Sequence, residues 1–299
     1  MRGIRRVLQV VTFVGTLMIG VLALALIVSQ TPWFRDWLRR YIVRESKQYL
    51  NGELSIGHLD GNLLFGADLS NVAVDVSGER IVAMKGVELD YNIFSLISKG
   101  LDVDAIKINQ PVLKLARGEN GWNLARLVKR QEQEADRQGP MRPISLPSIE
   151  VSDASVSIQD GDRSAVSIPR RIEDVDLKAR FEYAPVHYSL VLDHVSFRGS
   201  APTLSLQNLT GKLAVRDDNL YMENVALHTS ETSVTVDGVI ENYLATPVVK
   251  LTTTGTVSLP EIGRVVPRAA GYALHPTIDL KADGPAENLK LDVNIRHRN

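Results

Sequence analysis

The chain of 299 residues contains no cysteine. This excludes a disulfide framework, thiol catalysis and cysteine-ligated metal sites. Aromatic residues make up only 6% of the sequence, whereas large side chains usually dominate the core of a globular domain. The formal net charge is −1, which argues against a nucleic-acid-binding protein because such proteins carry a basic excess. At 44% apolar and 23% charged residues, the composition is still that of a folded protein.

Motifs for catalysis and metal binding are also missing from the sequence. The six histidines form no closely spaced ligand pair, and there is neither a Gly-Xaa-Ser-Xaa-Gly elbow nor a phosphate-binding loop. Asp160-Gly161-Asp162 resembles part of a calcium loop, but the later ligands are absent, so we interpret it as a hairpin turn. We therefore predict a protein that is not an enzyme and that binds no metal or cofactor.

The feature that dominates the sequence is an alternation of apolar and charged residues, clearest at positions 173–182. Side chains of a strand point to opposite faces in turn, so such a segment has one apolar and one ionic face. Weaker versions recur from about Leu54 to the end of the chain. Four polar–aliphatic pairs recur within them: Asn71-Val72, Asp174-Val175, Asn208-Leu209 and Asn224-Val225. Short connections between these segments predict an all-β chain with an antiparallel sheet.

An uncharged run of 22 residues, Val7 to Val28, precedes the predicted strands. A helix of this length spans about 33 Å, enough for the hydrocarbon core of a bilayer. A signal-peptide core is shorter, so we predict that residues 1–30 are a retained transmembrane anchor rather than a cleaved signal. Arginines lie on both sides of the run, and the charge bias does not decide its orientation.

Residues 31–51 predict an amphipathic helix, with Thr31 as its N-cap and Pro32 in its first turn. Two interpretations remain open: the helix lies in the headgroup region of a membrane, or it caps the end of the β domain. The residues expected at a membrane interface are Trp33, Phe34, Trp37 and Tyr41.

Composition divides the remaining chain into three parts. We predict a first β block at 52–128, a charged surface linker at 129–143 and a second β block at 144–299. Short helices are predicted at 92–99 and 259–266. The strands predicted in the second block are 172–182, 187–197, 203–206, 211–216, 219–228, 232–240, 248–257 and 287–296.

An ordered set of segments resembles the AsmA-like and TamB-type family of envelope proteins, over roughly residues 1–296. The segments are Gly61–Val72, Asn92–Val103, Pro111–Leu115 with the following Gly121-Trp122-Asn123-Leu124, and Leu209–Val236. The resemblance implies a single-pass inner-membrane anchor, a periplasmic C-terminal body that forms an elongated curled sheet or β-groove, and a role in phospholipid transport or outer-membrane biogenesis. It also implies an outer-membrane barrel protein as a partner, as TamB-type members have. Those members are far longer, so the chain is either a short member or an N-terminal piece.

The one-sided strands leave two functional interpretations. In a closed β-sandwich they would form a non-catalytic scaffold that docks an outer-membrane assembly partner, and the strand pattern alone favours this alternative. In an open groove they would hold membrane phospholipid, which the family resemblance favours and which we adopt. The expected groove-lining residues are Val175, Leu177, Leu190, Leu192, Leu213, Val215, Val234, Val236, Val249 and Leu251.

Overall fold

The computed structural model describes residues 20, 24, 27–91, 103–118, 121–127, 129, 143–159, 167–184, 187–267 and 270–296. Within these residues, no helix is both long enough and apolar enough to cross a membrane. Most of the predicted anchor and linker, the predicted helix at 92–99 and the turn at Asp160 lie outside the described residues.

Strands make up 65% of the structure, which confirms a mostly β chain with few helices. The helices are α1 (Pro32–Tyr49) and α2 (Leu259–Val265), and 3₁₀ turns occur at Asn123–Arg126 and Ala286–Asn288. The strands are β1 (Glu53–Asp60), β2 (Gly66–Val76), β3 (Glu79–Tyr91), β4 (Val103–Asn109), β5 (Val112–Gly118), β6 (Gly121–Trp122), β7 (Ile144–Gln159), β8 (Arg171–Ala184), β9 (His187–Ser200), β10 (Leu204–Arg216), β11 (Asn219–Thr229), β12 (Ser233–Glu241), β13 (Val248–Thr256), β14 (Thr277–Pro285) and β15 (Lys290–Arg296).

Fourteen of these strands form one mixed sheet, and the two-residue β6 extends it by pairing with β5. The order is β1-β2-β3-β4-β7 and then sequential to β15, while β5 lies between β3 and β7 beyond the end of β4. The prediction of an antiparallel sheet is wrong at one place, because β7 runs parallel to β4 and β5. Parallel neighbours need a crossover of a dozen or more residues, and the chain between Gly118 and Ile144 supplies it.

Three strands contain bulges in which an Asp or Asn adopts a left-handed backbone conformation. These residues are Asp153 (φ 54°), Asp174 (φ 50°) and Asn224 (φ 49°), and each strand has one extra residue there relative to a neighbour. The N–H of Asp153 donates to Asp176 Oδ1 at 3.0 Å, and that of Asn224 donates to Asp237 Oδ1 at 2.7 Å. Bulges bend a strand and increase its twist, so two of the recurring polar–aliphatic pairs mark bends in the sheet.

Helix α1 lies along β1, at the first edge of the sheet. The helix begins where Thr31 Oγ1 accepts a hydrogen bond from the N–H of Phe34 at 3.3 Å. Arg39 Nη1 donates to the carbonyl of Ile56 at 2.9 Å, and Arg35 Nη2 donates to that of Gly61 at 3.3 Å. The helix thus packs on the end of the sheet, as in one of the two interpretations that the sequence left open. It covers an edge that could otherwise recruit another strand.

The buried apolar core is small. One cluster contains Leu59, Leu63 and Ala67 and is covered by Phe34 and Leu38 of α1. A second cluster contains Val74, Ile81 and Leu127. Across the strands from β7 onward, the buried apolar residues of the described chain are mostly small: Ala154, Ala179, Leu206, Ala214 and Ala282. The larger apolar side chains of these strands are therefore not enclosed in a thick core.

Candidate functional site

The ten residues predicted to line a groove lie on one side of the sheet. Residues directly opposite each other on antiparallel strands share a face. Leu213 is opposite Leu190 on β9 and Met222 on β11, and Leu251 is opposite Gly238 and Ala282. The remaining predicted residues follow at every second position along these strands or opposite one another: Val175, Leu177, Leu192, Val215, Val234, Val236 and Val249. We call this side of the sheet, from β1 to β15, the apolar face.

The register extends the apolar face across the whole sheet. One row of paired residues runs from β1 to β9: Leu59, Leu69, Val87, Ile108, Val151, Leu177 and Val195. Another runs from β8 to β15: Phe181, Leu190, Leu213, Met222, Gly238, Leu251, Ala282 and Leu291. No charged residue interrupts either row.

In the second half of the sheet, the side chains of the apolar face are partly exposed to solvent. All ten predicted residues are partly exposed, whereas residues between two packed sheets would be enclosed at native packing density. All described strands except β6 belong to one sheet. Towards the last strand the exposure increases, and Leu291, Val293 and Ile295 of β15 are exposed on this face.

Several residues of the apolar face were not included in the prediction. Phe181 and Met222 belong to the same row as Leu213. Tyr183 and Tyr188 are also paired on this face, with ring centroids 5.1 Å apart. On β8 the sequence could have placed Phe181 on this face, because Phe181 lies between the charged residues Arg180 and Glu182.

The opposite face of the sheet carries paired charges. Arg180 Nη2 lies 2.7 Å from Asp193 Oδ1, and Lys212 Nζ lies 3.0 Å from Glu223 Oε2. The hydrogen bond to Asp193 raises the pKa of the Arg180 guanidinium, so the cation is stabilised in its pair. Exposed pairs of this kind contribute little to stability, but they keep this face hydrated. The sheet therefore has one charged, hydrated face and one apolar face.

A buried polar cluster lies at the ends of β11, β12 and β13, where α2 begins. Glu261 of α2 is only 4% exposed. Its carboxylate accepts hydrogen bonds from Thr229 Oγ1 at 2.5 Å, Thr232 Oγ1 at 2.7 Å and Ser230 Oγ at 2.9 Å. Burial by itself would raise the pKa of Glu261, but the three hydroxyl donors outweigh it and hold that pKa below its usual value. The ionised carboxylate thus fastens α2 to the β11–β12 turn.

Ser258, Glu231 and His275 lie beside this cluster but do not form a catalytic triad. Ser258 Oγ donates to Glu231 Oε2 at 2.6 Å, and His275 Nε2 lies 3.2 Å from the same oxygen. A triad requires the histidine between the serine and the acid, whereas here the acid lies between the other two. Within the described residues no group of three or more His, Asp or Glu side chains could hold a metal ion. Ser258 caps α2, because its Oγ accepts a hydrogen bond from the N–H of Glu261 at 3.2 Å.

Comparison of the chain with models of protein families, with curated proteins and with solved structures gives no match. The likeness to envelope proteins therefore stays a prediction from sequence, and the argument for function depends on the geometry of the sheet.

The four residues predicted at a membrane interface differ in their exposure, although the rings of Phe34 and Trp37 are in contact with centroids 5.5 Å apart. Phe34 packs against the cluster of Leu59, Leu63 and Ala67. Trp33, Trp37 and Tyr41 are exposed, and the rings of Trp37 and Tyr41 stack with centroids 5.7 Å apart. The helix therefore has an apolar side against the sheet and an aromatic side away from it.

An open cleft of about 380 Å³ lies between α1 and β1, with Arg35, Asp36, Arg39, His58 and Asp60 in its wall. Its arginines are already engaged: Arg35 with Asp60 at 3.2 Å, and Arg39 with Asp36 at 2.7 Å. These pairs, together with the bonds to the carbonyls of Ile56 and Gly61, attach the helix to the sheet. We assign the cleft a structural role.

Proposed function

We propose that this protein is anchored in the inner membrane by Val7–Val28 and uses the apolar face of a periplasmic β-groove to hold phospholipid acyl chains, in lipid transport or outer-membrane biogenesis. The observation that supports this proposal is the apolar face itself: it is continuous from β1 to β15, and its second half is only partly covered. Large exposed apolar surfaces are uncommon on soluble monomers and mark interaction sites.

Acyl chains suit such a surface better than a specific small molecule does. The rows consist of aliphatic and aromatic side chains with no directional polar group among them, so the face offers contact area without chemical selectivity. Burial of acyl CH₂ groups contributes about 0.8 kcal/mol each. The transfer of a lipid along this face requires no catalytic residue. An outer-membrane barrel partner, implied by the family resemblance, would receive the lipid at the far end.

Site-specific photo-crosslinking in cells tests the proposal. The full chain would carry benzoylphenylalanine at Leu213 or, in a matched variant, at the neighbouring Lys212, which lies on the charged face of the same strand. After irradiation, mass spectrometry of the purified protein would detect phospholipid adducts. We expect adducts at position 213 and none at 212. Equal labelling at both positions, or no adduct at 213 in a folded and membrane-bound protein, would rule out lipid binding on the apolar face.

A further inference from the structure

The outward side of α1 is a compact aromatic and cationic stripe. Trp33 is 68% exposed, and Trp37 and Tyr41 follow at intervals of four residues. Arg40 and Arg44 lie on the same side, with side chains 65% and 71% exposed; Arg40 Nη2 lies 3.0 Å from Asp36 Oδ2 and Arg44 Nε lies 3.8 Å from Glu45 Oε1. The Arg44 guanidinium also lies 5.4 Å from the centre of the Tyr41 ring. We call these five residues the outer stripe of α1. Aromatic side chains with flanking arginines are typical of helices that lie at a membrane surface.

The inner side of the same helix is committed to the sheet. Phe34 and Leu38 cover the cluster at Leu59, while Arg35 and Arg39 bond to backbone carbonyls at Gly61 and Ile56. The helix therefore cannot turn its aromatic side toward the sheet without breaking these contacts. The outer stripe is held in a fixed orientation relative to β1.

The turn between β1 and β2 lies beside the start of this helix and carries an exposed apolar tip. Gln30 Nε2 donates to Asn62 Oδ1 at 3.2 Å, and the N–H groups of Phe65 and Gly66 both bond to the carbonyl of Asn62 at 2.8 Å. This tight turn encloses Leu63 but leaves Phe65 52% exposed. Gln30 is only two residues beyond Val28, where the uncharged run ends. If that run spans the bilayer, Phe65 and Trp33 must both lie near its surface.

The same turn leads into the apolar face. Leu59 and Leu69, on either side of the turn, are opposite each other and begin the row that continues through Val87 and Ile108. The end of β1 and β2 that carries the turn is therefore where the apolar face would come closest to a membrane.

We propose that the outer stripe of α1 and the tip at Phe65 dock together in the headgroup layer of an anionic phospholipid membrane, and that they hold the first edge of the sheet at the lipid surface, where α1 covers the first residues of the apolar face. The two arginines match anionic headgroups, and the aromatic rings match the interface between headgroups and acyl chains. The inference depends on the membrane anchor of the proposed function. It goes further by assigning a docking surface and the lipid class that this surface fits.

Single-cysteine fluorescence tests this geometry, because the natural chain contains no cysteine. Trp33→Cys and Phe65→Cys would each be labelled with an environment-sensitive dye in the full chain, reconstituted in nanodiscs of phosphatidylethanolamine and phosphatidylglycerol. Lipids with a spin label near the headgroup would serve as quenchers. Controls are Ser77→Cys, just beyond the other end of β2 and about 40 Å from Phe65 along the strand, and Leu244→Cys, an exposed apolar residue of the β12–β13 turn.

We expect the dye at 33 and at 65 to shift its emission to the blue and to lose most of its intensity to the lipid quencher, with no change at 77 or 244. We also expect Arg40→Gln with Arg44→Gln, or discs of phosphatidylcholine alone, to reduce the quenching at 33. Unquenched dye at both 33 and 65 in a chain that stays in the disc would overturn the docking inference alone. A chain that is washed from the discs by alkaline carbonate would overturn both the inference and the anchor of the proposed function.

Discussion

The change of Leu213 to Asp distinguishes an open apolar face from a closed core. Full burial of a leucine side chain contributes about 1.5–3 kcal/mol, and Leu213 is only partly covered by Leu190 and Met222. Its removal is therefore expected to cost about 1–2 kcal/mol, and aspartate in a strand adds up to about 1 kcal/mol. The new carboxylate keeps contact with water, so no penalty for a buried charge is added. The total is about 1–3 kcal/mol.

Ile81 provides the matched control because it is 4% exposed and belongs to the cluster with Val74 and Leu127. Ile81→Asp is expected to cost at least about 5 kcal/mol, since it combines a lost core side chain with an unpaired buried charge. Unfolding entropy is about 2.1 cal/mol/K per residue. For 299 residues, Leu213→Asp then lowers the melting temperature by about 2–5 °C, and Ile81→Asp lowers it by at least about 8 °C.

The assay is thermal unfolding of the full chain in detergent, followed by circular dichroism of the strand signal, with mass spectrometry of co-purified phospholipid. Leu213→Asp should remain folded and carry less lipid than the natural protein. Unfolding as severe as that of Ile81→Asp would show that the apolar face is a sealed core, and the argument from partial exposure would be refuted.

Further predictions concern Glu261 of α2 and the N-terminal segment. Glu261→Ala should cost about 2–4 kcal/mol, because three hydroxyl groups lose their acceptor, and it should speed hydrogen exchange in α2, whereas Glu223→Ala on the charged face should change little. Since the pKa of Glu261 is lowered from 4.5, its contribution to the free energy of unfolding should be complete above pH 4.5 and be lost as the pH falls through the lowered pKa. The change Glu261→Gln should remove this dependence of stability on acid pH. At the N-terminus, protease added to spheroplasts should digest the β body while the anchored segment remains in the membrane, and a protected body or a mature N-terminus near Leu26 would contradict the predicted topology.

Much of the second half of the sheet could be predicted from alternation alone. The predicted strands at 172–182, 187–197, 219–228, 232–240 and 248–257 correspond to β8, β9, β11, β12 and β13, and the predicted helix at 259–266 is α2. Two predicted strands at 203–206 and 211–216 are one strand, β10, because Gly211, with φ 138°, lies at a register shift within the strand and not at a turn. β14 is not among the predicted strands, although Ile278, Leu280 and Ala282 alternate with polar residues, because prolines stand at both of its ends.

The first half was less predictable because its contacts are not local. The parallel pairing of β4 and β5 with β7 depends on a crossover that no residue pattern marks. Similarly, the sequence alone placed Phe34 with Trp37 and Tyr41 on one side of α1. The structure keeps the rings of Phe34 and Trp37 in contact, with centroids 5.5 Å apart, but only Phe34 packs against the sheet, because the position of β1 decides which part of a broad apolar surface is turned inward. The chemistry of the apolar face could be predicted, but its continuity across two blocks of sequence could not.

The bulges at Asp153, Asp174 and Asn224 allow the shape and the surface chemistry of this sheet to change independently. Each adds one residue that is absorbed locally, so the strand beyond it still presents the same side chains to the apolar face. Loss or gain of a single bulge residue would therefore straighten or bend the sheet without moving charged side chains into the apolar rows. The curvature of such a sheet could thus change by single-residue insertions and deletions. In a strand without a bulge, the same change would move every following side chain to the other face.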